Sequence, residues 1–203
     1  MKKLSLVQKS ILLIFVVLLI DQVVKIWIKT NMELGQNIPV FGNWFIIHFT
    51  ENPGMAFGWE FGGDTGKIIL TLFRMVAAVL IAFYIRSLIK HNSHPGLVLS
   101  MALIFAGAVG NIIDSIFYGV IFSSSLNQVA EFLPEGGGYT SLLKGHVVDM
   151  LYFPIIEGRY PEWFPFKAGQ HFEFFRPVFN IADSSITIGV LIILTFQKKF
   201  FKK

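Results

Sequence analysis

The sequence predicts an all-α integral membrane protein, a bundle of four transmembrane helices with both termini on the cytoplasmic side. Three observations carry that prediction: the composition, four long apolar stretches, and the placement of the basic residues. Of the 203 residues 54% are hydrophobic and only 15% charged, whereas soluble domains run near a quarter charged. The mean hydropathy is +0.62. A soluble chain of this size could not hide so much apolar surface. With no cysteine, a disulfide-stapled scaffold and a Cys-ligated metal site are excluded, and the apolar excess excludes a disordered polar chain.

A hydrocarbon core about 30 Å thick needs roughly 20 apolar residues in a helix. The predicted spans are approximately residues 11–28, 68–89, 96–118 and 178–196. The first resembles a signal peptide at its start, where Lys2, Lys3 and Lys9 precede an apolar run. Asp21-Gln22-Val23-Val24-Lys25 follows instead of a small-residue cleavage site, so it is expected to be retained. No repeat or linker divides the chain, and residues 1–203 are taken as one membrane domain.

The basic residues set the orientation. Lys2, Lys3, Lys9, Arg86, Lys90, Lys198, Lys199, Lys202 and Lys203 flank the spans at the termini and at the turn near His91, with no Asp or Glu among them. The positive-inside rule puts those flanks in the cytoplasm. The positive charge thus reports topology, and no basic stripe for nucleic acid is visible. Residues 29–67 and 119–177 are then extracytoplasmic. The first contains Trp44-Phe45-Ile46-Ile47-His48-Phe49, bounded by Gly42 and Pro53, a strand with a turn. The second is interrupted by Gly136-Gly137-Gly138 and by Pro154, Pro161, Pro165 and Pro177, which break any long helix.

Ionisable groups inside a span are costly and therefore informative. Asp21 and Lys25 in the first span, Arg74 in the second, Asn111 and Asp114 in the third, and Asn180 and Asp183 in the fourth all fall in the outer half of the bundle. Four helices contributing polar groups at one depth imply a single site near the external surface. Asp21 and Lys25 are spaced for an intrahelical ion pair, a structural role. Asn111 with Asp114, and Asn180 with Asp183, each place an amide beside a carboxylate on one helix face. Such groups also serve as helix–helix glue.

Elimination narrows the chemistry. There is no Gly-x-Ser-x-Gly elbow and no thiol, and neither His-Glu-x-x-His nor a phosphate-cradling glycine loop is present. His146 lies three residues before Asp149, a weak metal signal that a solvated loop histidine explains as well. No cofactor is called for. What remains is carboxylate chemistry, in which one of two close carboxyl groups keeps a proton while the other acts as base. Asp183 is one member. Its partner is Asp149, an acid in the apolar run Val147-Val148-Asp149-Met150-Leu151, or else Asp114.

Five motifs in order resemble lipoprotein signal peptidase (signal peptidase II), the membrane aspartic peptidase family. Asp21-Gln22-Val23-Val24-Lys25 is similar to the family's D-Q-x-x-K, and Asn52-Pro53-Gly54-Met55-Ala56-Phe57-Gly58 to N-x-G-x-A-F-G. Gly107-Ala108-Val109-Gly110-Asn111-Ile112-Ile113-Asp114 is similar to G-A-x-G-N-x-x-D, Val147-Val148-Asp149 to V-V-D, and Phe179-Asn180-Ile181-Ala182-Asp183 to F-N-x-A-D. The resemblance implies that Asp149 and Asp183 are catalytic. Asn52, Gly54, Asn111, Asp114 and Asn180 would line or support the substrate site, and Asp21, Lys25 and Arg74 are assigned to structure. It also implies a small extracytoplasmic β-sheet cradle with a mobile loop over the site. The expected partners are prolipoproteins with a diacylglyceryl-modified cysteine and membrane lipid; the expected location is the bacterial inner membrane, as a monomer.

Two features depart from the family pattern. Ser115 follows Asp114 where the family has arginine, leaving Arg74 and Arg176 as candidates for that charge, and the 121–176 segment is long. Its Trp163-Phe164-Pro165-Phe166 run suggests an element resting on the bilayer surface. The rival readings are a small proton- or ion-coupled transporter, which would need access from both faces, and a structural subunit that uses the polar residues as glue.

Overall fold

The computed structural model describes residues 3–53, 63–154, 156–166, 168–174 and 177–202. Four helices among them are long and apolar enough to cross a membrane. Helix α1, Leu6–Asn31, starts ahead of its apolar run because Ser5 caps it: the Ser5 hydroxyl accepts from Gln8 N and Gln8 reaches back to Ser5 N. Helix α2 is Gly63–Lys90 and α3 is Pro95–Ile113. A π-helical turn, Asp114–Tyr118, and the short α4, Gly119–Ile121, extend α3. Helix α5, Ile181–Phe200, begins three residues later than hydropathy alone predicts, because Asn180 caps it in a box with Asp183.

Helix α3 is the centre of the bundle and packs against α1, α2 and α5. Its small residues make this approach feasible. A Cβ on Gly107 would collide with the carbonyl oxygen of Ala182, and one on Gly110 would come within 2.8 Å of Asp21 Oδ2. Ridges of Ile11, Phe15, Leu19 and Val23 on α1, and of Phe73, Val76, Leu80 and Phe83 on α2, remain exposed on the outside of the bundle. Such a belt suits lipid and would be a liability in water.

Two small antiparallel sheets complete the fold. Strands β1 (Asn37–Phe41), β2 (Phe45–Asn52) and β3 (Val147–Tyr152) form one sheet in that order. Strands β4 (Ile156–Arg159) and β5 (His171–Phe174) pair as a separate hairpin. The first sheet sits on the end of α1 through a core of Phe49, Val148 and Met150 against Ile28, Met32, Tyr118 and Phe122. The sequence reading of one strand near residues 44–49 thus becomes two strands joined by a turn, with a third arriving from the distant 147–152 segment.

One further link positions the site. Phe179 pairs with Leu151 in both directions, with Leu151 N to Phe179 O at 2.7 Å and Phe179 N to Leu151 O at 3.1 Å. The residue that follows Phe179 is therefore delivered beside the middle of β3.

Candidate active site

Asp149 lies in β3 opposite Thr50 of β2, buried at 3% exposure. Two amides hold its carboxylate: Asn180 Nδ2 donates to Oδ1 at 2.7 Å and Asn52 Nδ2 to Oδ2 at 3.3 Å. Burial pushes the Asp149 carboxyl up to about 7, and the charge of Asp183 adds to the rise. Hydrogen bonds from Asn52 and Asn180 and the positive charge of Lys25 oppose it. A carboxyl so placed can keep or release a proton near neutral pH.

Asp183 occupies the first turn of α5, where an acid suits the positive end of the helix. Its Oδ2 accepts from Asn180 N at 3.3 Å, its Oδ1 accepts from Asn111 Nδ2 at 2.7 Å, and its own N–H donates to Asn180 Oδ1 at 2.8 Å. Asn180 therefore touches both aspartates, one through its amide nitrogen and the other through its oxygen and backbone. Asp183 is half-buried and lines a cavity of about 410 Å³ with Pro177, Phe179, Ser184, Thr187 and Ile188, an almost wholly apolar wall along α5.

A charged layer lies behind the pair. Lys25, fully buried, bridges Asp21 Oδ2 at 2.9 Å and Asp114 Oδ2 at 2.7 Å, and donates to Asn111 Oδ1 at 3.0 Å. The same Asn111 oxygen accepts from Asn180 Nδ2 at 3.1 Å. Asp21 Oδ1 accepts from Ala182 N at 2.9 Å, and Gln22 Nε2 donates to Asp114 Oδ1 at 3.0 Å. The Asp21–Lys25 pair expected within one helix is thus part of a network that joins α1, α3 and α5. Asp114 supports the site from inside this layer, since its carboxylate is taken up by Lys25 and Gln22.

Ser115 sits fully buried in the π-helical turn, with its hydroxyl turned back onto Asn111 O at 3.0 Å. Position 115 thus offers no cation. The guanidinium of Arg74 on α2, assigned to structure from the sequence but also named there as a candidate for the missing charge, lies within electrostatic reach of both Asp183 and Asp149. Gly54, together with the rest of the 54–58 motif and Arg176, lies outside the described residues. Gln22, part of the D-Q-x-x-K motif but given no role from the sequence, binds Asp114 and accepts from Tyr118 at 3.2 Å. Its neighbour Asp21 is given a role because it is charged, whereas charge does not single out a neutral amide at a helix interface.

Fold and site define a multi-pass membrane protein with two carboxylates in a buried polar network at the sheet-bearing end of its bundle. Residues 13–198 match the family model described as Signal peptidase (SPase) II, and the chain belongs to that family. It is 54% identical to a lipoprotein signal peptidase of Porphyromonas gingivalis over 183 residues, covering 90% of this chain and 79% of the relative. A lipoprotein signal peptidase of Amoebophilus asiaticus is 42% identical over 178 residues, covering 86% and 71%. Among solved structures, a bacterial membrane enzyme determined by the in meso method at 2.3 Å superposes with a TM-score of 0.62 and 28% identity, covering 100% of this chain and 96% of that one. A second such enzyme, determined at 1.9 Å, gives 0.60 and 26%, covering 94% and 93%.

Proposed function

We propose that this protein is an aspartic endopeptidase that cleaves the signal peptide from prolipoproteins just before their diacylglyceryl-modified cysteine. The observation that carries the reading is Asn180, which holds Asp149 by its amide nitrogen and Asp183 by its backbone N–H. It turns residues from a strand and a helix into one pair. Membership of the signal peptidase II family does not favour the transporter alternative.

The reaction follows from two carboxyl groups tied together by Asn180, of which Asp149 is raised to about 7 and so holds a proton near neutral pH. The ionised member takes a proton from water as the water oxygen bonds to the scissile carbonyl carbon. The protonated member donates a hydrogen bond to the carbonyl oxygen, which becomes the oxyanion of the tetrahedral intermediate. On collapse the C–N bond breaks and a proton passes to the leaving amine of the lipidated cysteine. The apparent pKa values belong to the pair rather than to either residue. No metal or cofactor enters this scheme.

Supporting roles follow from position. Asn52, Asn111 and Asn180 orient the carboxylates, Asp114 with Asp21 and Lys25 fixes the helices beneath them, and Gly54 is assigned to the substrate site by its place in the N-x-G-x-A-F-G motif. Arg74 supplies the positive charge that Ser115 does not. The apolar wall of the cavity beside Asp183 suits an acyl chain or an apolar signal segment.

The flanking lysines and arginines support cytoplasmic termini, an inner-membrane location and a site near the outer face. The extracytoplasmic sheet then forms the cradle. The tip of the β4–β5 hairpin, with Trp163 and a fully exposed Phe166, rests on the bilayer surface. The protein acts as a monomer on lipidated substrate.

The test is a gel-shift assay of a lipidated prolipoprotein with purified wild type, Asp149→Asn and Asp183→Asn. Both variants are expected to lose cleavage. Near-wild-type turnover by either overturns the dyad.

A further inference from the structure

A second buried charge cluster lies one residue from the site, and the mechanism leaves it unused. Lys29, at the end of α1, has 1% side-chain exposure, and its ammonium meets Glu51 Oε1 at 2.6 Å. Ser125 Oγ accepts from the same ammonium at 2.7 Å and donates to Glu51 Oε1 at 3.1 Å. The rings of Tyr139 and Phe122 stand 4.9 and 5.4 Å from the ammonium. Glu51 Oε2 faces His146 Nδ1 at 3.3 Å. Burial alone would raise the Glu51 carboxyl, yet the hydrogen bond to His146 and the pairing with Lys29 hold it at about 2.

Side chains alternate along a strand, so Glu51 points to the face opposite Asn52 and Thr50. Glu51 engages Lys29 while Asn52 reaches Asp149. β2 and β3 pair irregularly between Ile47 and Thr50 and resume a regular ladder at Thr50–Asp149, Glu51–Val148 and Asn52–Val147, so the 50–52 stretch does not inherit its phase from the pairs before it. A slip of one residue would bring Thr50 or Asn52 to the buried ammonium and take the Asn52 amide away from Asp149. In this register the acid at position 51 supplies the negative charge that pairs with Lys29. Fixing register is the best-attested use of a buried ion pair.

We infer that Glu51, through its ion pair with Lys29, is a positioning residue that locks the register of β2 against β3 and so aims the Asn52 amide at Asp149. The inference rests on the reading of Asp149 as catalytic. The segment after α4 acquires a purpose from it. Ser125, Tyr139 and His146 contact the pair, and its burial strengthens the attraction. Asp149 itself is faced by Asp183 and Asn180, by Asn52 from β2, by Lys25 from α1 and by the charge of Arg74 from α2. Of these, Glu51 governs Asn52.

The test uses the full-length protein in liposomes with a lipidated prolipoprotein, comparing wild type, Glu51→Ala, Asn52→Ala, their double variant and Asp149→Asn. Loss of one aligned hydrogen bond predicts that Glu51→Ala lowers kcat about tenfold while KM stays within about twofold. The alkaline limb of its pH–rate profile is expected to move upward, as in Asn52→Ala, since that amide favours the ionised Asp149. The double variant is expected to be no worse than the more damaging single one. Additive losses, or an unmoved alkaline limb in Glu51→Ala, overturn the inference. If Glu51→Ala fails to fold, Lys29→Met with Glu51→Leu removes both charges and carries the same expectations, and wild-type kcat there overturns it equally. An active Asp149→Asn overturns the dyad and this inference together. An inactive Asp149→Asn beside additive losses overturns this inference alone.

Discussion

Asn180 Nδ2 donates to Asp149 Oδ1 at 2.7 Å while Asn180 also caps the helix that carries Asp183. One side chain thus serves helix initiation and carboxylate placement together. Asn180→Ala is expected to cost about 1 kcal/mol for the lost cap and roughly a hundredfold in kcat for the misplaced pair. Asn180→Asp keeps a capping oxygen but sets a third carboxylate against Asp149. It is expected to retain more stability than Asn180→Ala, lose activity, and move the alkaline limb upward. Thermal unfolding in detergent and initial rates on a lipidated substrate check both.

The pH dependence follows from Asp149. Its carboxyl is raised from 3.8 to about 7 by burial first and Asp183 second. Asp149 in the native protein therefore holds its proton below about pH 7 and loses it above, so kcat/KM is expected to fall on the alkaline side with an apparent pKa near 7. For stability, a raised carboxyl contributes fully below its unfolded value and loses that contribution as pH rises through the folded value. The Tm difference between Asp149→Asn and wild type is thus expected to shift in favour of the variant from pH 4 to pH 8. Glu51, held at about 2, behaves oppositely, with its contribution present above pH 4.5 and lost as pH falls toward 2.

Lys25, fully buried, joins two acids. Lys25→Met leaves Asp21 and Asp114 buried without their cation, and loss of one partner of a buried pair costs about 3–5 kcal/mol. The expected result is a large drop in Tm and loss of activity. A variant that unfolds like wild type would show that the layer beneath the dyad carries no weight.

Topology has its own check. Reporter fusions at Gly137 are expected to read external and fusions at Lys203 cytoplasmic. The opposite pattern would place the site on the wrong side for a lipoprotein-processing enzyme.

Much of this site was legible in the sequence for local reasons. Hydropathy marked the four helices, and charge inside a span marked Asp21, Lys25, Asp114 and Asp183. Asn180 and Asp183 share a capping motif, so their contact is encoded within four residues. Other features depend on distant partners. That Asp149 meets Asn180 depends on Phe179 pairing with Leu151, and no spacing announces that pairing. The Lys29–Glu51 pair and the π-helical turn that buries Ser115 arise from packing of separate segments. Arg74 is one of two candidates for the charge missing at Ser115, and its reach toward the two aspartates depends on how α2 packs on α3. The β4–β5 hairpin was invisible because its aromatic, proline-rich stretch has no clean alternation.

The pair within α1 has a consequence for biogenesis. Asp21 and Lys25 neutralise each other one turn apart on the same helix, so this cation of α1 is balanced within the helix itself, whereas Lys29 at the helix end waits for Glu51. Asp114, Asn111 and Ala182 arrive later, from segments synthesised afterwards. The first helix is thereby a template, and the later helices are recruited by the hydrogen-bonding capacity that it still offers.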